Sequence, residues 1–316
     1  MSYYWGHNRR FNDFSNHIRK VFNGSKMQKI SIHAGFTCPN RDGTKGVGGC
    51  TFCNNESFKP SYCQSDLNIA EQINRGIKFF ERRYDSVKYI AYFQAYTNSY
   101  APLETLIDLY ESALSYDGVE GLIIGTRPDC LSDQLIDYLK DIQKRYYVAV
   151  ELGVESTLDV TLERINRGHS FDESKQAINI LAKNNIPVGV HMIMGLPGES
   201  FDDMLKHGEY ISKLPVNYLK LHQLQYVKGS KLGNYYLENP QPDSLLNLDQ
   251  YIDFVVTFLE NLRPDIVMER FTSQAPHSLL IAPKWGIKNF EFVRILENRM
   301  EKKDTWQGKY YSPVSF

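Results

Sequence analysis

Seven strand-like segments alternate with stretches of helical periodicity, and this alternation limits the fold more than any other feature of the chain. The segments are KISIHA, KYIAYFQ, GLIIGT, YVAVELGV, PVGVHMIMG, YLKLHQL and IVMER. Between the first two, Ile69, Ile73, Ile77, Phe80 and Tyr84 recur on one side of residues 67–84. Pro102, a good first-turn residue, opens a stretch carrying Leu103, Leu106, Ile107, Tyr110 and Leu114. Ser132 stands as N-cap before Leu135, Ile136, Leu139 and Ile142. Further helices are predicted over 172–184, 201–214 and 248–262. Strand, helix, strand, repeated in this way, calls for parallel pairing through right-handed crossovers.

The faces of the strands choose between two parallel architectures. A doubly wound sheet carries helices on both faces and needs both to be apolar. Here Val148, Val150, Leu152 and Val154 share one face, while Glu151, Gly153 and Glu155 share the other. Ile30 and Ile32 oppose Ser31 and His33; Leu219 and Leu221 oppose Lys220 and His222; Val188, Val190 and Met192 oppose Gly189 and His191. An apolar face turned out to helices and a polar face turned in describe an open, substrate-holding barrel. The expected fold is therefore α/β, a partial parallel β/α barrel of about six to seven strands over residues 28–271. A basic, aromatic N-terminal extension (1–27) and a C-terminal extension (272–316) flank it.

The loop after the first strand, GFTCPNRDGTKGVGGCTFCNNESF, holds Cys38, Cys50 and Cys53, three of the five cysteines in the chain. An odd cysteine number argues against a complete disulfide set. No apolar run approaches the ~18 residues of a membrane span, and the N-terminus lacks a signal-peptide core. A cytoplasmic protein with reduced thiols is expected. Zinc would need a fourth ligand, from Cys63 or His33. A redox pair would leave Cys38 unexplained. A cluster with three protein thiolates uses all three and leaves one iron open. Phe52 places a ring beside such a group. The lone cysteines Cys63 and Cys130 read as ordinary packing residues.

The ordered set of motifs resembles the radical S-adenosylmethionine superfamily. The long first gap, eleven residues from Cys38 to Cys50 and then two to Cys53, resembles the radical domain of the Elongator catalytic subunit and its shorter bacterial relatives. YFQAYTNSY, GTRPDCL, ELGVES, MIMGLPGES and KLHQLQYVKGSKL follow in the same order, and LLIAPKWGIKN and DTWQGKYY extend the likeness to about residue 310. The resemblance implies a [4Fe–4S] cluster on Cys38, Cys50 and Cys53 and S-adenosylmethionine on the open iron, cleaved to a 5′-deoxyadenosyl radical. It implies cofactor contacts at Phe52, Gln94, Tyr96, Thr97, Asn98, Glu151, Ser156 and Gly195. It also implies a reductant such as flavodoxin or ferredoxin, and tRNA as substrate, at the 5-substituent of the wobble uridine. Elongator continues into an acetyltransferase domain where this chain ends, so processing of an existing group, such as carboxymethylaminomethyl, is the expectation. A small metabolite and a non-catalytic metal-binding protein are the competing readings.

Arg127, Lys220 and His222 are candidates to meet a substrate anion. The first thirty residues carry Arg9, Arg10, Arg19, Lys20, Lys26 and Lys29 against Asp13 alone, on a chain of formal net charge −1. That asymmetry marks the N-terminal segment for RNA contact, with Tyr3, Tyr4 and Trp5 available to stack. The competing expectation for these aromatics is packing onto the barrel.

Overall fold

The computed structural model describes residues 3–81, 88–240 and 245–313; Tyr84 of the predicted second helix lies outside them. In chain order the elements are α1 (Phe14–Val21), β1 (Met27–Ile32), α2 (Ile69–Glu81), β2 (Lys88–Phe93), α3 (Leu103–Leu114), β3 (Val119–Thr126), α4 (Asp133–Ile142) and β4 (Tyr147–Glu155). Then come α5 (Asp159–Arg164), α6 (Phe171–Lys183), β5 (Val188–Met194), α7 (Phe201–Ser212), β6 (Tyr218–Gln223), β7 (Tyr226–Val227) and α8 (Lys231–Glu238). The chain closes with α9 (Leu248–Asn261), β8 (Val267–Arg270), β9 (Leu280–Ala282) and α10 (Asn289–Lys302). Several helix starts are capped as their sequence dictates. Ser132 accepts from the Leu135 amide, and Ser170 and Ser200 form capping boxes with Glu173 and Asp203.

Seven strands form one sheet in the order β1-β2-β3-β4-β5-β6-β8. Every neighbouring pair is parallel. β1 and β8 are its two edges and do not pair with each other, so the sheet is a half-barrel with an open side. β7 and β9 form a separate antiparallel ribbon. The outward faces carry the main core. Ile30, Ile32, Val148, Val150, Leu152, Val190, Leu219 and Leu221 are buried there with Leu106, Leu139, Ile178 and Phe254 of the surrounding helices. Full burial of each such aliphatic side chain contributes about 1.5–3 kcal/mol.

The inward faces are polar only in part, which corrects the expectation of a wholly polar lumen. Ile90, Ile123, Ala149, Tyr218 and Val267 form a second apolar cluster, and its centre is Ile18 of α1, with Phe14 and Phe22 packed beside it. The N-terminal helix therefore closes the lower end of the lumen. Above this layer the inward residues become charged. Two glycines make that possible. A Cβ at Gly189 would stand 2.8 Å from Cγ of Glu151, and one at Gly153 would stand 2.7 Å from an Arg167 nitrogen. Both are inside any normal contact: at Gly189 a side chain would press on the stem of Glu151, and at Gly153 it would displace the ends of Arg167 and Glu155.

Candidate active site

The cysteine loop leaves the C-terminal end of β1 and folds over the charged part of the lumen. Cys38, Cys50 and Cys53 all line one cavity of about 960 Å³. The loop is tied down from outside: the Thr51 amide donates to the Ile165 carbonyl, and Arg41 donates to the Cys53 carbonyl. N–H groups point at the sulfurs. Arg167 Nη1 lies 3.4 Å from Cys50 Sγ, Asn40 Nδ2 lies 3.6 Å from it, and Asn55 Nδ2 lies 3.8 Å from Cys53 Sγ. Asn40 Oδ1 and Arg167 Nε are buried without a partner among the described residues. Donors converging on sulfur suit thiolates, whose negative charge they stabilise. Three thiols on one cavity, two of them with such donors, fit a three-thiolate iron–sulfur cluster. Among the described residues no three His, Cys, Asp or Glu side chains close on a single ion; a cluster seats its thiolates on different irons and does not require that.

Arg167 is the residue that sequence reasoning missed. It is buried, donates to the Gly153 carbonyl and lies 3.6 Å from Glu155. Burial alone would lower its guanidinium pKa; Cys50 and Glu155 outweigh burial and hold it above the ordinary value. No periodicity marks it, since it sits in the turn RGHS after α5. Asn40 and Asn55 were legible in principle, each two residues beyond a cysteine, in CPN and CNN.

Below the thiols lies an ion network. Lys220 Nζ is 2.5 Å from Glu151 Oε2 and 2.8 Å from Glu269 Oε1; Lys29 Nζ is 2.8 Å from Glu151 Oε1 and 2.6 Å from Glu269 Oε1. Two lysines and two glutamates neutralise each other. His191 Nε2 joins Glu151 at 2.9 Å, and Lys220 donates to the Tyr92 hydroxyl at 3.1 Å. Burial would raise Glu151, but Lys220 and Lys29 hold its carboxyl well below the usual range. Lys29 and Glu269 also bridge the two sheet edges.

The sequence candidates divide by position. Phe52, Gln94, Tyr96, Thr97, Glu151, Arg127, Lys220 and His222 line the cavity with the cysteines. Asn98, Ser156 and Gly195 are not among its lining residues. Asn98 donates to the Gly125 carbonyl at 2.8 Å, Ser156 donates to Glu199 at 2.5 Å, and Gly195 turns the chain after β5 at φ 88°. Arg127 is held within the protein: it makes two 2.9 Å bonds to Asp129 and donates to the Arg167 carbonyl at 2.8 Å. His222 bonds Ser273 at 2.7 Å, and burial with neighbouring His191 keeps it neutral. Lys220 thus takes the paired position that an inward acid on β4 offered. Cys63 is fully buried, and burial pushes its thiol up to about 12.

A half-barrel of parallel strands with a three-cysteine loop at the C-terminal end of its first strand defines a radical-generating iron–sulfur enzyme class. The profile of the Radical SAM superfamily matches residues 38–211, and that of the Radical_SAM C-terminal domain matches 216–302. The chain belongs to the radical SAM superfamily, whose enzymes use a [4Fe–4S] cluster and S-adenosylmethionine. It is 35% identical over 303 residues to the protein YtqA of Bacillus subtilis, covering 96% of this chain and 93% of that one. The solved structure of Methanocaldococcus infernus Elp3 shares the fold, at a TM-score of 0.67 and 17% identity over 90% of this chain and 64% of that one. A shorter match, 25% identical over 186 residues, is to the tRNA uridine(34) acetyltransferase of Methanocaldococcus infernus, covering 58% of this chain and 33% of that one.

Proposed function

We propose that Cys38, Cys50 and Cys53 hold the cluster and that the enzyme modifies the 5-substituent of the wobble uridine of tRNA, for example a carboxymethylaminomethyl group. When bound, the cluster supplies one electron to S-adenosylmethionine and so yields the 5′-deoxyadenosyl radical. The observation that carries the cluster assignment is that the three thiols line one cavity, with N–H donors on Cys50 and Cys53. Support for the tRNA reading comes from the similarity to an enzyme named for uridine 34 of tRNA.

In this reading the chain's own residues position and shield. Arg167, Asn40 and Asn55 stabilise thiolate charge. Phe52 packs its ring among Leu162, Ile193 and Leu224 beside Cys53. The Lys29–Glu151–Lys220–Glu269 network forms a rigid floor above the apolar plug. A flipped base enters above that floor. No helix among the described residues is long and apolar enough to cross a membrane; a cytoplasmic enzyme supplied with electrons by flavodoxin or ferredoxin is part of the same proposal.

The test is nucleoside profiling of tRNA from cells lacking the gene. A changed level of one 5-substituted wobble uridine, restored by the wild-type gene and not by Cys50→Ala, is the expected result. An unchanged profile, with 5′-deoxyadenosine formed from S-adenosylmethionine and dithionite in vitro, would move the substrate outside RNA.

A further inference from the structure

The charge lining the cavity does not cancel. Nine Lys and Arg side chains line it against three Glu. Most of the nine are engaged. Lys29 and Lys220 are held by Glu151 and Glu269, Arg127 by Asp129, Arg167 by Glu155 and Lys59 by Glu56; Arg41 donates to the Cys53 carbonyl. Three have neither an ion pair nor a side-chain hydrogen bond among the described residues: Arg19, Lys26 and Arg270. Their places are informative. Arg19 is in the last turn of α1, Lys26 precedes edge strand β1, and Arg270 ends edge strand β8. They flank the open side of the half-barrel from its lower to its upper end, a span on the order of 15 Å for strands of this length.

Aromatic surface accompanies them. Phe58 and Phe79 line the same cavity and are 46% and 47% exposed. Phe79 stands on α2 with its ring edge-on to Phe80 and tilted to Tyr62. A small anion is satisfied by one or two cations at one point. Cations strung along a groove, with the half-exposed Phe58 ring beside them, match a polymer that offers a phosphate at every step and a flat ring between.

We infer that a single-stranded RNA segment runs along the rim of the open side, outside the Lys29–Glu269 pair that spans the β1 and β8 edges, its phosphates on Arg19, Lys26 and Arg270 and a base on Phe58. This rests on the RNA reading above and extends it: the strand lies at the side, along the sheet edges. Of the six cations that the sequence marks for RNA, Arg9, Arg10 and Lys20 are bound within the protein, to Glu297, Asp304 and the Trp5 carbonyl, Lys29 is held by Glu151 and Glu269, and Arg19 and Lys26 stay available.

The experiment measures binding of a short anticodon stem–loop RNA to cluster-replete enzyme by fluorescence anisotropy across a salt series. Arg19→Gln/Lys26→Gln/Arg270→Gln should weaken affinity at least tenfold. It should also flatten the dependence on salt by about 2 units of logarithmic slope, because each phosphate contact to a single strand contributes roughly 0.7. Phe58→Ala should weaken affinity about tenfold and leave the slope unchanged, since stacking releases no counterions. Lys140→Gln, on the outer helix α4, should change neither. Iron content and melting temperature are read on every preparation, and Arg270→Gln alone serves if the triple variant folds poorly. Wild-type affinity and slope in the cation variants would overturn the path while leaving RNA as substrate. Failure of the wild-type enzyme to bind the RNA would remove the RNA reading and the path together.

Discussion

Lys220 illustrates what a single residue's sequence can and cannot reveal. Alternation put it on the inward face, correctly, but its partners Glu151 and Glu269 stand on other strands. A free lysine and a paired one look the same until strand order is known. Because both carboxylates are buried, Lys220→Met should leave charge uncompensated at a cost of about 3–5 kcal/mol. A thermal melt should drop steeply, with iron lost in parallel; a stable, iron-replete variant would refute the role. At the cluster, Cys38→Ala, Cys50→Ala and Cys53→Ala should each lose the brown colour and iron, while Cys130→Ala keeps both. Colourless wild-type protein holding one zinc after anaerobic purification would contradict the assignment. His169 offers a pH signature. It is buried beside Arg167, its Nδ1 meets the Ser170 carbonyl, and its Nε2 has no partner among the described residues. Burial, then Arg167, lowers its pKa from 6.5 to about 3. The unfolded chain therefore takes up a proton that the folded chain refuses. The stability from this site is complete above pH 6.5 and falls as pH drops toward about 3, by up to roughly 1.4 kcal/mol per unit. Between pH 7 and 5.5, His169→Gln should show a flatter melting profile than wild type; identical slopes would exclude the site as the cause.

At the scale of elements, the seven strands and their apolar outer faces were legible because period-two alternation survives in six-residue segments. The helix that plugs the lumen was not. Phe14, Ile18 and Phe22 recur at helical spacing, yet Arg and Lys are so frequent around them that the stretch reads as a basic arm. The helix must be amphipathic because it serves two surroundings. Its apolar stripe meets Tyr218 and Ile123 inside the sheet, and its other face carries Arg19 into solvent and Lys20 to the Trp5 carbonyl. Ile18→Ala should cost about 2–5 kcal/mol, the usual penalty for an uncollapsed cavity at a buried aliphatic. Ile180→Ala, at an exposed position on α6, should stay within about 0.5 kcal/mol. Urea titrations of the two variants decide it, and equal midpoints would mean that α1 is not part of the core.

Across the whole molecule the two ends of the chain are joined, and this decides what the N-terminal charges do. Arg9 meets Glu297 of α10 at 2.7 Å and Asp13 at 3.3 Å; Arg10 reaches Asp304 and the Thr305 carbonyl. Between them, the Asn12 amide donates to buried Gln307, whose own amide donates to the Arg263 and Ile266 carbonyls. Tyr3 and Trp5 stack with centroids 5.1 Å apart, Tyr3 also lies against Trp306, and Trp5 is buried. Tyr4 alone of the three aromatics projects to solvent. The N-terminal segment is thus a strap from α10 across the foot of β8 to the plug helix. Sequence composition could count its cations and Asp13 but not foresee Glu297 and Asp304, which meet Arg9 and Arg10 from almost three hundred residues away. Its ion pairs are partly exposed, so the Arg9–Glu297 coupling should be modest, about 0.2–1 kcal/mol in a double-mutant cycle with Arg9→Gln and Glu297→Gln. Gln307→Ala should cost more, about 1–3 kcal/mol, because it strands the Asn12 amide and the Ile266 carbonyl. None of these changes should alter RNA affinity or its salt slope, in contrast to Arg19, Lys26 and Arg270 on the open side. Chemical denaturation and RNA anisotropy on the same preparations separate the roles. A strap variant with normal stability and weakened RNA binding would return the N-terminal segment to the interface and displace the open-side path.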